Sequence, residues 1–218
     1  MTVPVLTIDG PSGAGKGTIS RLMAKHLGWS YLDSGSIYRS LAIALLMKNI
    51  AADDYDQVVN TAANLDLQFE CGDELIVKLE NQDITNQLGS ETTGSLASKI
   101  AAIPEVRAVL LQKQRDFKQF PGLVADGRDM GTVIFPEAEH KVFLTASAEE
   151  RAGRRYKQLI EKGINANLMQ ITQDIQQRDL RDQQRTTAPL AMADDALYID
   201  SSDMDIVAVV EIISKFIA

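Results

Sequence analysis

Short apolar runs alternate with longer amphipathic ones along the whole chain. Val3 to Ile8 is apolar and rich in β-branched residues, the pattern of a buried strand. After Gly10–Thr18 the apolar spacing lengthens to helical, with Ile19, Leu22, Met23 and Leu27 expected on one helix face. Trp29 to Leu32 predicts a second strand, and about Ile37 to Lys48 a helix with Leu41, Leu45 and Leu46 on its apolar side. Residues 53–64 predict another helix, because Asp53 and Asp54 stand at its electropositive start.

The pattern changes between Leu65 and Leu88. Asp66–Glu70 alternates, Gly72-Asp73 predicts a turn, and Leu75–Leu79 predicts a returning strand, together a small β insertion. Residues 90–119 read as helical, with Pro104 in the first turn of a second helix carrying Val106, Val109, Leu110 and Gln114. Leu123–Asp126 and Lys141–Thr145 are too short and too apolar for helices and read as strands. Two charged helices are expected at 148–162 and 167–185, then a strand at Ala196–Asp200. Ile206, Val209, Val210, Ile213 and Ile217 form the apolar face of a C-terminal helix.

Strands alternating with helices predict an α/β fold with a parallel sheet covered on both faces. Ligands on such a sheet sit at the carboxyl ends of its strands. The segments Gly10–Thr18, Asp33-Ser34-Gly35, Asp126–Asp129 and Ala146-Ser147 all fall at such ends. They should converge on one crevice.

Composition narrows the class. The 218 residues suffice for one domain with insertions, and 45% hydrophobic with 24% charged residues is an ordinary globular balance. No apolar run reaches the roughly 18 residues that span a bilayer, so no membrane is expected as a partner. The N-terminal run leads straight into Gly10–Thr18 and is expected to be structure, not a signal peptide. The lone Cys71 can form neither an internal disulfide nor a multi-cysteine zinc site, which points to a reducing, cytoplasmic setting. The net charge of −8 argues against a nucleic-acid polymer as partner.

Gly10-Pro11-Ser12-Gly13-Ala14-Gly15-Lys16-Gly17-Thr18 is a phosphate-binding P-loop pattern between an expected strand and an expected helix. Its glycines let successive amides turn inward, and the helix start adds partial positive charge. Lys16 is placed to bridge the outer phosphates of a nucleotide. The strict pattern has Ser or Thr directly after the lysine, whereas here Gly17 intervenes before Thr18. That variant resembles small nucleoside-monophosphate kinases more than GTPases.

Arginine is concentrated late in the chain. Of 11 arginines, six lie between Arg151 and Arg185. Arg178, Arg181, Asp182 and Arg185 share helical spacing, as do Arg151, Arg154 and Arg155. A salt-bridged surface would use the same pattern, but beside a P-loop these cations suit the charge that develops in phosphoryl transfer. Gly153 weakens its helix and suggests a movable lid. Arg39 and Arg128 follow strands, and the two histidines, His26 and His140, read as surface residues. Arginines without an evident catalytic histidine favour a phosphate acceptor over an alcohol.

The P-loop, Leu32–Arg39, Ala125–Thr132 and Arg178–Asp182 with Arg185 together resemble the bacterial cytidylate kinase family, in order and over the whole chain. The resemblance implies a P-loop nucleoside-monophosphate kinase fold: a five-stranded parallel sheet with helices on both faces. It implies a core of residues 1–36, 88–147 and 187–218, a monophosphate-binding region at 37–87 including the β insertion at about 65–87, and a lid at about 148–186. It implies ATP with Mg²⁺ and CMP or dCMP as partners, with direct in-line transfer and no general base. Lys16 and the loop Gly10–Thr18 would hold ATP phosphates, with Thr18 near the Mg²⁺. Arg39, Arg128 and Arg185 would grip the CMP phosphate, with Ser34 and Tyr38 nearby. Ser98, Arg107 and Asp129 would face cytosine, and Arg178 with Asp182 the ribose. Arg151, Arg155 and Arg181 would close from the lid as catalytic arginines, together with Lys16 and Arg128. The family more often has Thr and Ala at the positions of Ser34 and Ser36.

An ionised Asp129 can accept from the cytosine 4-amino group but not from the uracil oxygen in its place. The alternatives are another small-molecule P-loop kinase and a GTPase-type switch. The switch would need an Asn-Lys-x-Asp guanine-reading motif, which the sequence lacks. A monomer is the default expectation.

Overall fold

The computed structural model describes residues 2–71, 75–161 and 163–217. The expected turn at Gly72-Asp73 lies outside the described residues. Five parallel strands form the central sheet: β1 (Val5–Asp9), β2 (Ser30–Asp33), β6 (Leu123–Gly127), β7 (His140–Thr145) and β8 (Leu197–Asp200). Their spatial order is β2-β6-β1-β7-β8. All residues of β1 and β6 are buried, as befits central strands covered on both faces.

The period-2 geometry of the strands sorts their side chains into two cores. Val5, Leu32, Leu123 and Ala125 join one core with helix α2 (Ser34–Met47), α3 (Tyr55–Ala63), α5 (Glu91–Ile100) and α6 (Pro104–Arg115). Leu6, Ile8, Tyr31 and Val124 join the other with α1 (Lys16–Leu27) and α9 (Ile206–Ile217). Each fully buried Leu or Ile in these layers contributes about 1.5–3 kcal/mol.

Local chemistry sets the helix boundaries. Asp33 caps α2 by accepting from the Ser36 amide at 3.0 Å, and Asp54 caps α3 through Gln57 at 3.3 Å. Pro104 opens α6, and Gly28 closes α1 in the left-handed region at φ 67°. The insertion is a three-stranded antiparallel sheet of β3 (Leu67–Cys71), β4 (Leu75–Leu79) and β5 (Gln82–Asp83). Its Val77 and Leu79 enter the α2 core, and the short helix α4 (Thr85–Leu88) returns the chain. Strand β5 and helix α4 are too short to show as a periodic pattern.

Three expected core positions differ. Leu22, Leu46 and Ile206 are exposed at 40, 46 and 51%, because each sits at the margin of its helix's apolar stripe. His140 begins β7 instead of preceding it, and its ring packs edge-on against Phe216 at 5.8 Å. The charged helices are α7 (Ala148–Glu161) and α8 (Leu168–Gln183). Helix α7 runs unbroken through Gly153, so the glycine marks no kink.

Candidate active site

The P-loop leaves β1 at Gly10 (φ 150°), where a Cβ would fall 1.9 Å from the Leu144 carbonyl oxygen. Only glycine fits there. Gly13 and Gly15 adopt φ 80° and 92°, the left-handed turns that curl the loop. Helix α1 starts at Lys16 with Gly15 as its cap and no capping side chain, so its first amides remain available to an anion. Lys16 is buried, and its Nζ donates to the Pro11 carbonyl at 2.9 Å. Burial, reinforced by Arg128, pushes its pKa down to about 7. A phosphate in the loop would restore its charge.

A cleft of about 830 Å³ opens over the strand ends. Ser12–Thr18 line it together with Asp33, Arg39, Asp126, Arg128, Arg154, Arg178 and Ser201. Three of the four expected strand ends therefore converge here, the Ala146-Ser147 segment being absent from the lining, and a cationic hollow lies inside an acidic protein. Helix α2 brings in Arg39, which donates to the Leu88 carbonyl, and burial lowers its pKa. Arg178 on α8 has its pKa pushed down to about 9, by burial first and then by Arg128 and Arg39. Among the described residues, the buried Arg178 Nε and Arg185 Nη2 make no hydrogen bond. Cations crowded and desolvated in this way are costly without an anion to compensate them.

Beyond the P-loop, a second group gathers at the end of β6. Arg128 Nε donates to Asp182 Oδ2 at 2.8 Å, and Arg185 Nε reaches the Asp182 carbonyl at 3.3 Å. Burial raises the Asp182 pKa, but Arg128, Arg178 and Arg185 outweigh it and hold the carboxyl below its usual range. Ser98 Oγ points at Asp182 Oδ1 from 3.5 Å. Arg107 pairs with the buried Asp129 carboxylate and lies over the Tyr38 ring, 5.6 Å from its centroid. Ser34 Oγ donates to Gln114 Oε1 at 2.7 Å. The expected acceptor-side residues are thus neighbours in space.

The three arginines expected to close from a lid divide. Arg151 is buried and fully engaged: Nε to the Ala146 carbonyl at 2.9 Å, Nη1 to the Ser12 carbonyl at 2.9 Å, and Nη2 to Asp179 at 2.6 Å. It thereby joins the P-loop to both α7 and α8. Arg155 crosses to the far wall, where it meets Glu91 at 2.7 Å and the Gly89 carbonyl at 2.8 Å. Arg181 differs from its expectation of a shared face with Arg178 and Asp182. It is exposed, and its Nε reaches only the Gln177 carbonyl one turn back, at 3.5 Å. Three residues along a helix fall about 60° short of a full turn and four pass it by about 40°, so Arg181 lies about 100° around the axis from Asp182.

Four groups hold places in the site to which the sequence assigns no role. Asp126 receives the Tyr31 hydroxyl at 2.9 Å, and its pKa is raised to about 7 by burial and by Asp33. Arg154 bonds the Ser201 carbonyl at 2.6 Å beneath the P-loop cleft. Gln114 is a fully buried amide under Ser34. Asp9, at the end of β1, accepts from two backbone amides of the turn after Asp129. Asp9 borders the P-loop, Asp126 belongs to the Ala125–Thr132 motif, Arg154 shares the helical spacing of Arg151 and Arg155, and Gln114 follows Val106 and Leu110 on the spacing of α6.

Asp33 and Asp126 are direct register partners across β2 and β6, and both line the cleft with Thr18. Hard oxygen donors of this kind suit Mg²⁺, and no cluster of three or more potential metal-ligating side chains exists among the described residues. No helix of the described residues is long and apolar enough to cross a membrane.

Known proteins resemble this chain along most of its length. A family model described as cytidylate kinase matches residues 6–218. A protein named cytidylate kinase from Methylococcus capsulatus is 54% identical over 211 residues, covering 97% of this chain and 95% of its own. One of the same name from Aeromonas hydrophila is 56% identical over 204 residues, covering 93% and 89%. A crystal structure of an uncharacterized protein from Eubacterium ventriosum aligns with a TM-score of 0.54 at 10% identity, covering 98% and 97%. At that identity the likeness concerns the fold alone.

Proposed function

The chain belongs to the cytidylate kinase family, and we propose on that premise that it transfers the γ-phosphoryl group of ATP to CMP and dCMP. The observation that carries this reading is the shared cleft. The P-loop with Lys16 lines it together with Arg39, Arg128 and Arg178. An ATP tail in the loop would present its γ-phosphate to a monophosphate held by Arg39, Arg128 and Arg185.

Such a reaction needs cations more than a base, because the acceptor oxygen is already ionised. Two repelling anions must be brought into line, and forked guanidinium groups suit that task. Arg151 and Arg155 would add charge from the lid, and Arg181 would require a lid movement to join them. When bound with ATP, Mg²⁺ would neutralise phosphate charge, with Asp33, Asp126 and Thr18 as its neighbours.

Asp129 and Arg107 would read cytosine, helped by Ser98. Asp182 and Arg178 would reach the sugar. Residues 1–36, 88–147 and 187–218 then act as the core, 37–87 as the monophosphate-binding region and about 148–186 as the lid. The protein would work as a cytoplasmic monomer without a nucleic-acid or membrane partner.

Asp126 supports a second reading. A carboxyl with a pKa near 7 in the cleft could serve an alcohol acceptor as a base. Its hydrogen bond from Tyr31 and its interaction with Lys16 support a role beside the ATP phosphates, which favours the phosphate acceptor. ADP release measured with CMP, dCMP, UMP, AMP, GMP and shikimate decides between them. CMP and dCMP should be the best acceptors, and a preference for any other would overturn the proposal.

A further inference from the structure

Asp9 occupies an unusual place between the two halves of the cleft. It is the last residue of β1 and directly precedes Gly10, the first residue of the P-loop. Its carboxylate accepts the Met130 amide at 2.9 Å and the Gly131 amide at 2.8 Å. Those amides follow Asp129 immediately and open a π-helical turn, Met130–Ile134. The Val133 and Ile134 amides both return to the Asp129 carbonyl, at 2.9 and 3.1 Å. Turns of this kind are rare and concentrate at functional sites.

The turn has little freedom beyond these two bonds. A Cβ at Gly131 would lie 2.8 Å from Thr7 Oγ1 and 3.2 Å from the Lys141 side chain. A Cβ at Gly127 would lie 2.9 Å from the Met130 side chain. Asp9 itself is only 5% exposed and faces Gly127 in the β1–β6 register. The turn is therefore packed on both sides, and the two oxygens of Asp9 fix its height above the sheet.

We infer that Asp9 is a specificity-determining positioning residue for the acceptor base, acting through the turn that carries Asp129. It acts without touching the substrate. A carboxylate with both oxygens accepting can satisfy two adjacent amides. An amide side chain of the same shape would accept from one and set its own NH₂ group against the other. The turn would then tilt, and the Asp129 carboxylate would lose its aim at a base edge while Lys16 and the P-loop glycines kept theirs. This rests on the proposed reading of Asp129 as the base reader.

The test compares wild type, Asp9→Asn and Asp129→Asn with CMP and UMP as acceptors at saturating ATP and at about pH 8.5, well above the Asp9 pKa of about 7, so that its carboxylate is ionised. Asp9→Asn should lower the CMP-to-UMP ratio of kcat/KM by about tenfold through a higher KM for CMP, with the KM for ATP within about twofold of wild type. A structural role alone would lower the melting temperature and leave that ratio unmoved, which overturns the inference. If Asp129→Asn lowers the ratio and Asp9→Asn does not, the inference fails while the functional reading stands. A wild type with no preference for CMP overturns both. Should Asp9→Asn fail to fold, nuclear magnetic resonance on the wild-type protein decides instead. Adding CMP should shift the Asp9 carboxyl carbon and the Met130 and Gly131 amides, and unshifted resonances at CMP saturation overturn the inference.

Discussion

Arg128 and Asp182, 54 residues apart in sequence, meet at 2.8 Å and join the end of the central strand β6 to helix α8. Asp182 thereby neutralises one of three converging arginines and leaves Arg178 and Arg185 with unsatisfied nitrogens. Replacing Asp182 with Ala would leave Arg128 buried without its partner, a loss on the order of 3 kcal/mol for a buried pair. Urea unfolding should show a lower midpoint, and the KM for CMP should rise at least about tenfold. An unchanged KM would remove Asp182 from the acceptor site.

Lys16 stands at the end of the P-loop, and its side chain makes one carbonyl hydrogen bond. Removing one preorganised donor to transition-state charge costs roughly 10²–10³ in turnover. Lys16→Ala should lose at least that factor in kcat and keep a cooperative unfolding transition. Near-normal turnover would show that Lys16 does not hold phosphate.

Asp9 also predicts a pH dependence of stability. Burial raises its pKa from 3.8 to about 7 against the pull of the Gly131 and Met130 amides. The folded state thus binds this proton more tightly than the unfolded state, so the stabilisation is complete below about pH 4 and disappears as pH rises through 7. Wild type should lose stability relative to Asp9→Asn across that window by up to about 1.4 kcal/mol per pH unit. Denaturant unfolding at pH 4.5, 6 and 7.5 checks the sign. Wild type gaining on Asp9→Asn as pH rises would contradict it.

Gly153 offers a stabilising change. Its helix is regular there, and a methyl group added at this position would meet nothing within 4 Å. Gly153→Ala should raise stability by up to about 1 kcal/mol. A thermal melt reads this as a higher midpoint; a lower midpoint would mean that the glycine's flexibility is needed in the native state.

The main sheet was legible because its strands are short, apolar and separated by strongly periodic helices. Val5–Asp9, Leu123–Gly127 and Leu197–Asp200 lie within a residue or two of the expected runs. The candidate site was legible where chemistry concentrates in contiguous motifs, as at Gly10–Thr18 and Arg128-Asp129. It was not legible where a single side chain acts across the fold. The spacing of α6 places Gln114 with Val106 and Leu110 but cannot show Ser34 as its partner, and Asp9 reads as the end of a strand until β6 brings the Met130 amide to it. Arg181 shows the converse: its spacing matches, but the actual helical rotation leaves it in solvent.

The identity of the phosphoryl acceptor is read most directly by phosphorus nuclear magnetic resonance of the reaction mixture. With ATP, Mg²⁺ and CMP, the spectrum should develop CDP and ADP in equal amounts with no build-up of inorganic phosphate. Inorganic phosphate and ADP without CDP would contradict transfer to CMP.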